Sequence, residues 1–450
     1  ENVCLKRELG LPSAVSLIAG TMIGSGIFMS PQWVLYHMGS PGASLLIWAS
    51  CGLLAMLGAL SYAELGTVIK ESGGEYIYIL RNSGPLLAFL LAYTSVIVVR
   101  PAGIAGISLS FAEYVVASFY PDCPSPTVAV KFTAAACILV LGIINCLNVK
   151  LSTSIMNIFT TAKLLVLLLI IVGGMVLLAK GHTQGLQNAF DNTATGFGPV
   201  GVAFYQGLWS YDGWNNLNYV TEELKKPEVN LPRAVMIAIP LVTCVYLLVN
   251  VSYFVAMTPR ELLSSDAVAI SWGVKLLGTW TWIISLGVAL STFGSANGTF
   301  FTGGRLCYVA AREGHLPTRL VLFKVPLYTT ILLEIVIWCI EQCYVVMSES
   351  VLFTAWLFYG ITIAGLLYMK IKKPDLPRPY KVPIVIPIIV QIASVYLVLA
   401  PIIGSPQLEY LYVVLFILSG LIVYIPVVHY KWSPKCFRSV TLQLQLLLQV

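Results

Sequence analysis

The 450-residue chain is 58% hydrophobic and only 10% charged, with a mean hydropathy of +0.85. Soluble globular domains carry about 25% charged residues, so this composition excludes an ordinary soluble enzyme or binding domain. The formal net charge of +6 does not indicate nucleic-acid binding, because no basic stretch is interleaved with aromatic residues that could stack on bases. The expected surroundings are the lipid bilayer, and we expect no nucleic-acid partner and no cofactor.

Apolar runs of about 20 residues recur along the chain, and each is long enough to cross a bilayer as a helix. Such segments must satisfy their own backbone hydrogen bonds within the membrane. We therefore predict an all-α membrane protein with twelve transmembrane helices in residues 1–430, followed by a tail at 431–450. The twelve segments are roughly 13–38, 44–63, 85–118, 127–147, 154–179, 197–221, 234–257, 271–300, 326–346, 350–369, 384–404 and 407–430.

The lysines and arginines are distributed unequally between the two sets of connecting loops. With a cytoplasmic N-terminus, 20 of the 26 basic residues fall in inner loops or tails and only 3 in outer loops. Cytoplasmic loops of membrane proteins carry such an excess of Lys and Arg. The distribution predicts that both termini are cytoplasmic.

The first segment contains the triplet Gly24-Ser25-Gly26 in the middle of its apolar run. Glycine weakens a helix by about 1 kcal/mol relative to alanine, so the triplet predicts an unwound turn. A small-residue packing face is the alternative, and Gly20 together with Gly24 has the spacing that it requires.

The sixth segment places Asp212 between Trp209 and Trp214, in the middle of a predicted span. A carboxylate at this depth is costly unless it faces water or a partner, so Asp212 is predicted to line a cavity. An ion pair with Arg100 or Lys163 is the alternative.

The two interrupted segments occupy matching places in two sets of five helices, which we place at 13–179 and 197–369, with helices 11 and 12 at 384–430. Paired interruptions of this kind are typical of inverted-repeat transporters whose site lies at the midplane. Free N–H groups at a half-helix start attract a carboxylate, and free carbonyls attract an ammonium. A ligand with both groups is an α-amino acid.

Five motifs carry a resemblance to a known family. They are Gly20-Thr-Met-Ile-Gly-Ser-Gly-Ile-Phe28, Tyr62-Ala-Glu-Leu-Gly66 with Ser72-Gly-Gly-Glu-Tyr76, Trp209-Ser-Tyr-Asp-Gly-Trp-Asn215, Leu217-Asn-Tyr-Val-Thr-Glu-Glu223, and Gly304-Arg-Leu-Cys-Tyr-Val-Ala-Ala-Arg-Glu-Gly-His315. At these residues the chain resembles the light chains of heteromeric amino acid transporters, in the amino acid–polyamine–organocation superfamily. The resemblance covers nearly the whole chain. It is strongest to the b(0,+)-type branch, which exchanges cystine and dibasic amino acids for neutral ones, because the large-neutral branch places glycine where Asp212 stands.

The resemblance implies a LeuT-like 5+5 inverted repeat with broken helices 1 and 6, and sodium-independent exchange. It implies that Trp209 is an aromatic gate, that Asp212 faces the substrate side chain, and that Lys163 replaces the ion of sodium-coupled relatives. A lysine that snorkels from a helix end is the alternative for Lys163. The full set of candidate substrate-binding residues is Thr21, Met22, Ile23, Gly24, Ser25, Gly26, Trp209, Ser210, Tyr211, Asp212, Gly213 and Asn215.

Cys123 lies in the predicted outer loop between segments three and four, and a lone thiol there suggests an intermolecular disulfide. In the family this position is bonded to a single-pass glycoprotein heavy chain, here expected to be of the rBAT type. The resemblance also implies residence in the plasma membrane, with the apical membrane of epithelia as one location. A free loop cysteine is the alternative.

The stretch 316–354 departs from the family pattern, because Glu334 and Glu341 lie in or beside the ninth segment. This departure keeps open a non-transporting amino acid sensor or an inactive paralogue. A second alternative is the same fold with neutral or aromatic substrates, which Trp209 could stack against. An ion channel and a membrane enzyme are less consistent with the sequence, because neither a filter repeat nor a nucleophile motif is present.

Overall fold

The computed structural model describes residues 7–120, 125–147, 149–265, 267–315, 344–404 and 408–430, and this part of the chain is almost entirely helical. Within it, extended pairing is limited to one bridge between Leu9 and Leu224. The helices are α1 (Leu11–Met22), α2 (Gly26–Met38), α3 (Pro41–Val68), α4 (Glu75–Ser83), α5 (Pro85–Thr94), α6 (Arg100–Ala117), α7 (Thr127–Leu147), α8 (Val149–Ala179), α9 (Phe197–Ser210), α10 (Pro227–Ala256), α11 (Pro259–Leu263), α12 (Val268–Leu277), α13 (Trp282–Arg312), α14 (Tyr344–Lys372), α15 (Val385–Gly404) and α16 (Leu408–Tyr424).

The helix boundaries follow from local sequence. Pro41, Pro85 and Pro227 stand at the first positions of their helices, where the missing N–H has no intrahelical role. Gly39 follows α2 at φ +74°, a left-handed conformation that glycine adopts without a steric penalty. These residues separate long apolar runs into discrete rods.

Eight helical stretches in the described residues are long and apolar enough to span a membrane, two of which combine α5 with α6 and α12 with α13, and the bent pair α1 and α2 makes a ninth candidate. The prediction of an all-α membrane protein is confirmed. Eleven of the twelve predicted segments contain a helix. Most of the ninth, predicted at 326–346, lies outside the described residues together with Glu334 and Glu341, and only its last three residues are described, as the start of α14, so the count of twelve stays a prediction.

Two predicted segments are divided in the structure. The third, 85–118, consists of α5 and α6 joined by a π-helical turn at Ser95–Val99. The eighth, predicted at 271–300, is interrupted after α12, because Gly278 takes φ +55° and a short 3-10 turn follows it. The helix α13 therefore begins at Trp282 and extends beyond the predicted end to Arg312.

The two interrupted rods lie at the centre of the bundle. The helix α1 packs against α8, α10 and α13, and α2 packs against α9 and α3. On the outside, α8 exposes a row of large apolar side chains, as expected for a surface solvated by lipid. This row contains Ile158, Leu165, Leu168, Val172 and Val176.

A buried cluster of charges joins α3 to the segment between α14 and α15. The Glu64 carboxylate is fully buried and lies 2.7 Å from Lys370 Nζ and 3.6 Å from Arg378 Nε. It also accepts a hydrogen bond of 2.8 Å from the Val382 N–H. The cluster fixes the segment 370–382 against the body of the bundle.

Candidate functional site

The first break separates α1 from α2 at Ile23–Ser25, and the two helices differ in direction by 45°. Close neighbours make glycine necessary within this turn, at Gly24, and directly after it, at Gly26. A Cβ on Gly24 would lie 2.7 Å from Ser295 Oγ, and one on Gly26 would collide with the backbone and side chain of Ser210. The glycines therefore let α13 and α9 approach the backbone of the break.

The carbonyls at the break accept hydrogen bonds from protein side chains. Lys163 Nζ is fully buried and donates to Gly20 O at 2.5 Å and to Ile23 O at 2.7 Å. Ser295 Oγ donates to Thr21 O at 2.8 Å. These carbonyls are satisfied internally, whereas the first N–H groups of α2 have no acceptor within their own helix.

The second break follows α9. The chain turns through Tyr211–Asn215, with Gly213 at φ +102°, and continues as a 3-10 helix at Asn216–Glu223. Each of the two rods that the sequence marks as interrupted is thus interrupted in the structure.

One tyrosine contacts both breaks. The Tyr246 hydroxyl on α10 lies 2.6 Å from Met22 O and 3.0 Å from Ser210 O. Its ring packs edge-on against Trp48 and Tyr211. Sequence reasoning missed Tyr246, because the residue lies in an apolar helix without a recognisable motif.

A cavity lies between the two breaks and is bordered by eight of the twelve candidate residues. Asp212 has an exposed side chain although it lies deep in the bundle, because it faces this cavity. The eight are Thr21, Met22, Gly24, Ser25, Gly26, Trp209, Asp212 and Asn215. The cavity is also lined by Glu75, Arg100, Asn216, Tyr219, Ser295, Thr299 and Tyr359.

The other four candidates do not border the cavity. Ile23 is fully buried and its carbonyl contacts Lys163 and Ser291. The Tyr211 hydroxyl donates to Trp48 O at 3.1 Å, away from the cavity. Ser210 and Gly213 pack against Gly26 and Thr21 respectively. These residues support the two turns without bordering the cavity.

Glu75 is a second carboxylate of the cavity that we did not include among the candidate site residues. Gly73 and Gly74, at φ +123° and +55°, turn the chain so that α4 begins at this buried residue. Its two oxygens accept hydrogen bonds from Asn215 Nδ2 and the Tyr219 hydroxyl. The motif Ser72–Tyr76 could have pointed to it, since it places a carboxylate directly after two glycines in a largely apolar chain.

The alternative to a cavity-facing Asp212 was an ion pair with Arg100 or Lys163, and the described residues do not form this pair. Within the described residues, Asp212 forms no salt bridge within 4.0 Å, although Arg100 borders the same cavity. The Arg100 guanidinium instead lies over the Tyr219 ring, 4.8 Å from its centroid. Lys163 is directed to the carbonyls of the first break.

Two further predicted features lie outside the described residues, namely Cys123 and the tail 431–450. The cysteines that the structure describes as free are Cys51, Cys137, Cys244 and Cys307. In the described ranges, no three His, Cys, Asp or Glu side chains are grouped as metal ligands.

Comparison with known proteins gives matches along nearly the whole chain. The amino acid permease family matches residues 9–427. The b(0,+)-type amino acid transporter 1 of Mus musculus is 50% identical over 100% of this chain and 94% of its own length, and that of Rattus norvegicus is 51% identical over the same shares. The large neutral amino acids transporter small subunit 2 of Homo sapiens is 43% identical over 97% of this chain and 83% of its own length.

Proposed function

The chain belongs to the amino acid permease family, and on that premise we propose that it is a sodium-independent antiporter that exchanges cationic amino acids and cystine for neutral amino acids across the plasma membrane. It is a multi-pass membrane transporter and not an enzyme. The observation that carries the substrate class is Asp212, a carboxylate that faces the central cavity without an ion pair among the described residues.

The proposed binding mode uses the two breaks for the part that all amino acids share. The substrate carboxylate lies at the start of α2, where the N–H groups of Ser25 and Gly26 and the positive end of the helix dipole favour an anion. The ammonium lies towards the carbonyl end of α9, near Trp209. The side chain then extends towards Asp212, which attracts the cation of lysine or arginine and the second ammonium of cystine.

The proposed sodium independence rests on Lys163. Its ammonium is fully buried and contacts the carbonyls of Gly20 and Ile23, as a bound monovalent cation would. A positive charge that is covalently fixed at this place makes a dissolved cation unnecessary. Exchange rates measured in sodium and in choline buffers are therefore expected to be equal, and a requirement for sodium would contradict this role.

The proposed partner is a single-pass glycoprotein heavy chain, bonded through Cys123. The large neutral relatives are named as a small subunit, which supports assembly with a second chain. Co-expression with a heavy chain of the rBAT type is expected to give a disulfide-linked complex on non-reducing gels, and Cys123→Ser is expected to abolish that band. A band that persists in the variant would exclude Cys123 as the linking residue.

The function is tested by exchange in proteoliposomes that are preloaded with both unlabelled arginine and unlabelled leucine, so that a variant that binds only one of the two classes still has an internal exchange partner. The wild-type chain is expected to take up labelled arginine, cystine and leucine, and uptake is expected to require internal amino acid. Asp212→Gly is expected to lose arginine and cystine uptake, at least about tenfold, while it retains leucine uptake. Asp375→Gly, at an exposed residue between α14 and α15, is the matched control.

Three outcomes would contradict the proposal. Equal loss of all three substrates in Asp212→Gly would remove the selective role of this carboxylate. Stronger inhibition of arginine uptake by phenylalanine than by cystine would favour a neutral or aromatic transporter of the same fold. Stable loading of labelled amino acid without counterflow would favour a non-transporting sensor.

A further inference from the structure

Arg100 is a basic residue that borders the cavity. It has no role in the proposed mode of substrate binding. The residue begins α6, directly after the π-helical turn at Ser95–Val99, and its side chain borders the same cavity as Asp212. A cation at this place competes with a cationic substrate for the Asp212 carboxylate. Its presence in a site for cationic amino acids therefore requires a reason.

The guanidinium of Arg100 is held by weak contacts. It lies 4.8 Å from the centroid of the Tyr219 ring, and Nη1 is 3.5 Å from Thr302 Oγ1. No carboxylate of the described residues lies within 4.0 Å of it. Its aliphatic stem faces Gly303, where a Cβ would be 3.9 Å away, so no side chain confines it on that side. The guanidinium is therefore held by a ring contact and one long polar contact, without a close ion pair among the described residues.

The two carboxylates of the cavity differ in how they are satisfied. Both oxygens of Glu75 accept hydrogen bonds, from Asn215 and from Tyr219. Asp212 faces the cavity with no side-chain partner among the described contacts. A movable cation in the cavity therefore has Asp212, rather than Glu75, as the carboxylate open to it.

A neutral substrate and a cationic substrate leave Asp212 in different states. Lysine or arginine brings its own cation to the carboxylate. Leucine brings no cation to the carboxylate and, as it occupies the cavity, displaces solvent from it, which is unfavourable. A transporter that exchanges the two classes needs a way to compensate Asp212 only when a neutral amino acid is bound.

We propose that Arg100 is a tethered counter-cation that pairs with Asp212 when a neutral amino acid occupies the cavity and returns to the face of Tyr219 when the substrate carries its own cation. This proposal rests on the proposed function, because it assumes that both classes bind in this cavity. Arg100 is then a specificity-determining residue that admits neutral substrates, while Asp212 admits cationic ones. The geometry described above corresponds to the withdrawn position, with the guanidinium on the Tyr219 ring.

The test uses uptake of labelled leucine and labelled arginine into proteoliposomes that are preloaded with both unlabelled amino acids, so that every variant has an internal exchange partner. Arg100→Gln is expected to lower leucine uptake at least about tenfold relative to arginine uptake, because Asp212 is then uncompensated with leucine bound. Arg100→Gln combined with Asp212→Asn is expected to recover leucine uptake and to lose arginine uptake, since neither unpaired charge remains. Arg100→Lys retains a cation and is expected to give an intermediate leucine uptake.

Binding of labelled leucine and arginine to the purified protein in detergent separates recognition from transport. Arg100→Gln is expected to bind arginine in greater preference to leucine than the wild-type chain does. The double variant is expected to shift this preference back towards leucine. Arg260→Gln, at a residue outside the cavity lining, is the control for loss of an arginine as such.

The proposal and the function on which it rests fail in different ways. A wild-type chain that exchanges leucine but not arginine contradicts the proposed function. A wild-type chain that exchanges both, with Arg100→Gln lowering both equally, overturns only the role of Arg100. Failure of the double variant to regain leucine uptake and leucine binding likewise overturns it.

Discussion

At the scale of single residues, Tyr246 connects the two breaks through one hydroxyl group. A phenol carries one proton, so its two short contacts, to Met22 O and Ser210 O, share that donor or use it alternately. The two carbonyls belong to the last residues of α1 and α9, directly before the two turns, and Met22 O also accepts a hydrogen bond of 2.9 Å from the Gly24 N–H. The position of one broken helix relative to the other therefore depends on a group that is neither charged nor in contact with the cavity.

Tyr246→Phe is expected to slow exchange of all substrates about tenfold or more and to lower the free energy of unfolding by about 1–2 kcal/mol. The ring contacts with Trp48 and Tyr211 remain, but the Ser210 carbonyl loses its hydroxyl donor, and the Met22 carbonyl keeps the Gly24 N–H while it loses the hydroxyl. Exchange rates in proteoliposomes and thermal unfolding in detergent measure the two effects.

The same helix offers a matched control for this variant. Tyr253 is fully buried on α10, and its hydroxyl has no hydrogen-bond partner among the described residues. Tyr253→Phe is expected to leave exchange unchanged and to keep or raise stability, because it removes an unsatisfied polar group. If both variants behaved alike, the connection between the breaks would not be the cause of the defect in Tyr246→Phe.

At the scale of elements, the interrupted helices are readable from sequence because their cause is local. Glycine at Gly24 and Gly26 lowers helix stability wherever it occurs, and an aspartate in an apolar run needs a polar neighbour. The break at Gly278 has the same local cause, but the surrounding sequence is continuous in hydropathy, and the predicted span of 271–300 missed it. Local sequence thus indicates where a helix can break. Hydropathy alone does not show whether the helix is broken there.

Most partners across elements could not be predicted from residue patterns, although the family resemblance pointed to Lys163. Lys163, Tyr246 and Ser295 lie on three different helices and meet the first break only after the bundle has assembled. Glu75 and Arg100 likewise enter the cavity from α4 and α6. Without helix packing, the sequence gives a list of candidate polar residues but not which of them share a cavity.

The buried charge cluster of α3 leads to a prediction about stability. Glu64 is 0% exposed, and its partners Lys370 and Arg378 have side chains that are only 8% and 7% exposed. Removal of one member of a buried ion pair leaves an uncompensated charge, which typically costs about 3–5 kcal/mol. Glu64→Gln is therefore expected to lower the thermal unfolding midpoint strongly and to reduce the monodisperse yield in detergent.

An exposed ion pair provides the comparison for this variant. Glu261 lies 2.7 Å from Lys275 in a pair whose side chains are 47% and 41% exposed. Exposed pairs contribute about 0–1 kcal/mol, and glutamine can replace glutamate in the capping box that begins α11. Glu261→Gln is expected to change the midpoint little, and an equal change in the two variants would contradict a structural role for the buried cluster.

At the scale of the whole molecule, paired charges join the 3-10 helix after the second break to the end of α13. Glu223 makes a two-point contact with Arg305, at 2.6 and 3.1 Å, and Glu222 makes one with Arg312, at 2.9 and 3.2 Å. The bridge between Leu9 and Leu224 adds backbone hydrogen bonds of 3.0 and 2.9 Å at the same end. By the distribution of Lys and Arg, we expect this end to be cytoplasmic.

A transporter with a central site must open each end in turn, so these contacts must separate during the cycle. Glu223→Gln keeps a hydrogen bond to Arg305 but removes the charge from a pair whose side chains are only 8% and 20% exposed. The variant is expected to shift the population towards the cytoplasm-open state, and a change of about 1.4 kcal/mol would alter that equilibrium tenfold.

The shift can be read from a cysteine introduced by Thr299→Cys, because Thr299 borders the cavity. In inside-out vesicles, a membrane-impermeant thiol reagent is expected to label this position several-fold faster when Glu223→Gln is also present. The control is Glu228→Gln, whose pair with Lys70 is about half exposed and contributes little to closure. Since both substitutions remove one acidic charge, equal labelling rates would mean that the contact between Glu223 and Arg305 does not hold the bundle shut, and that closure rests on the backbone bridge and the packing of the helices.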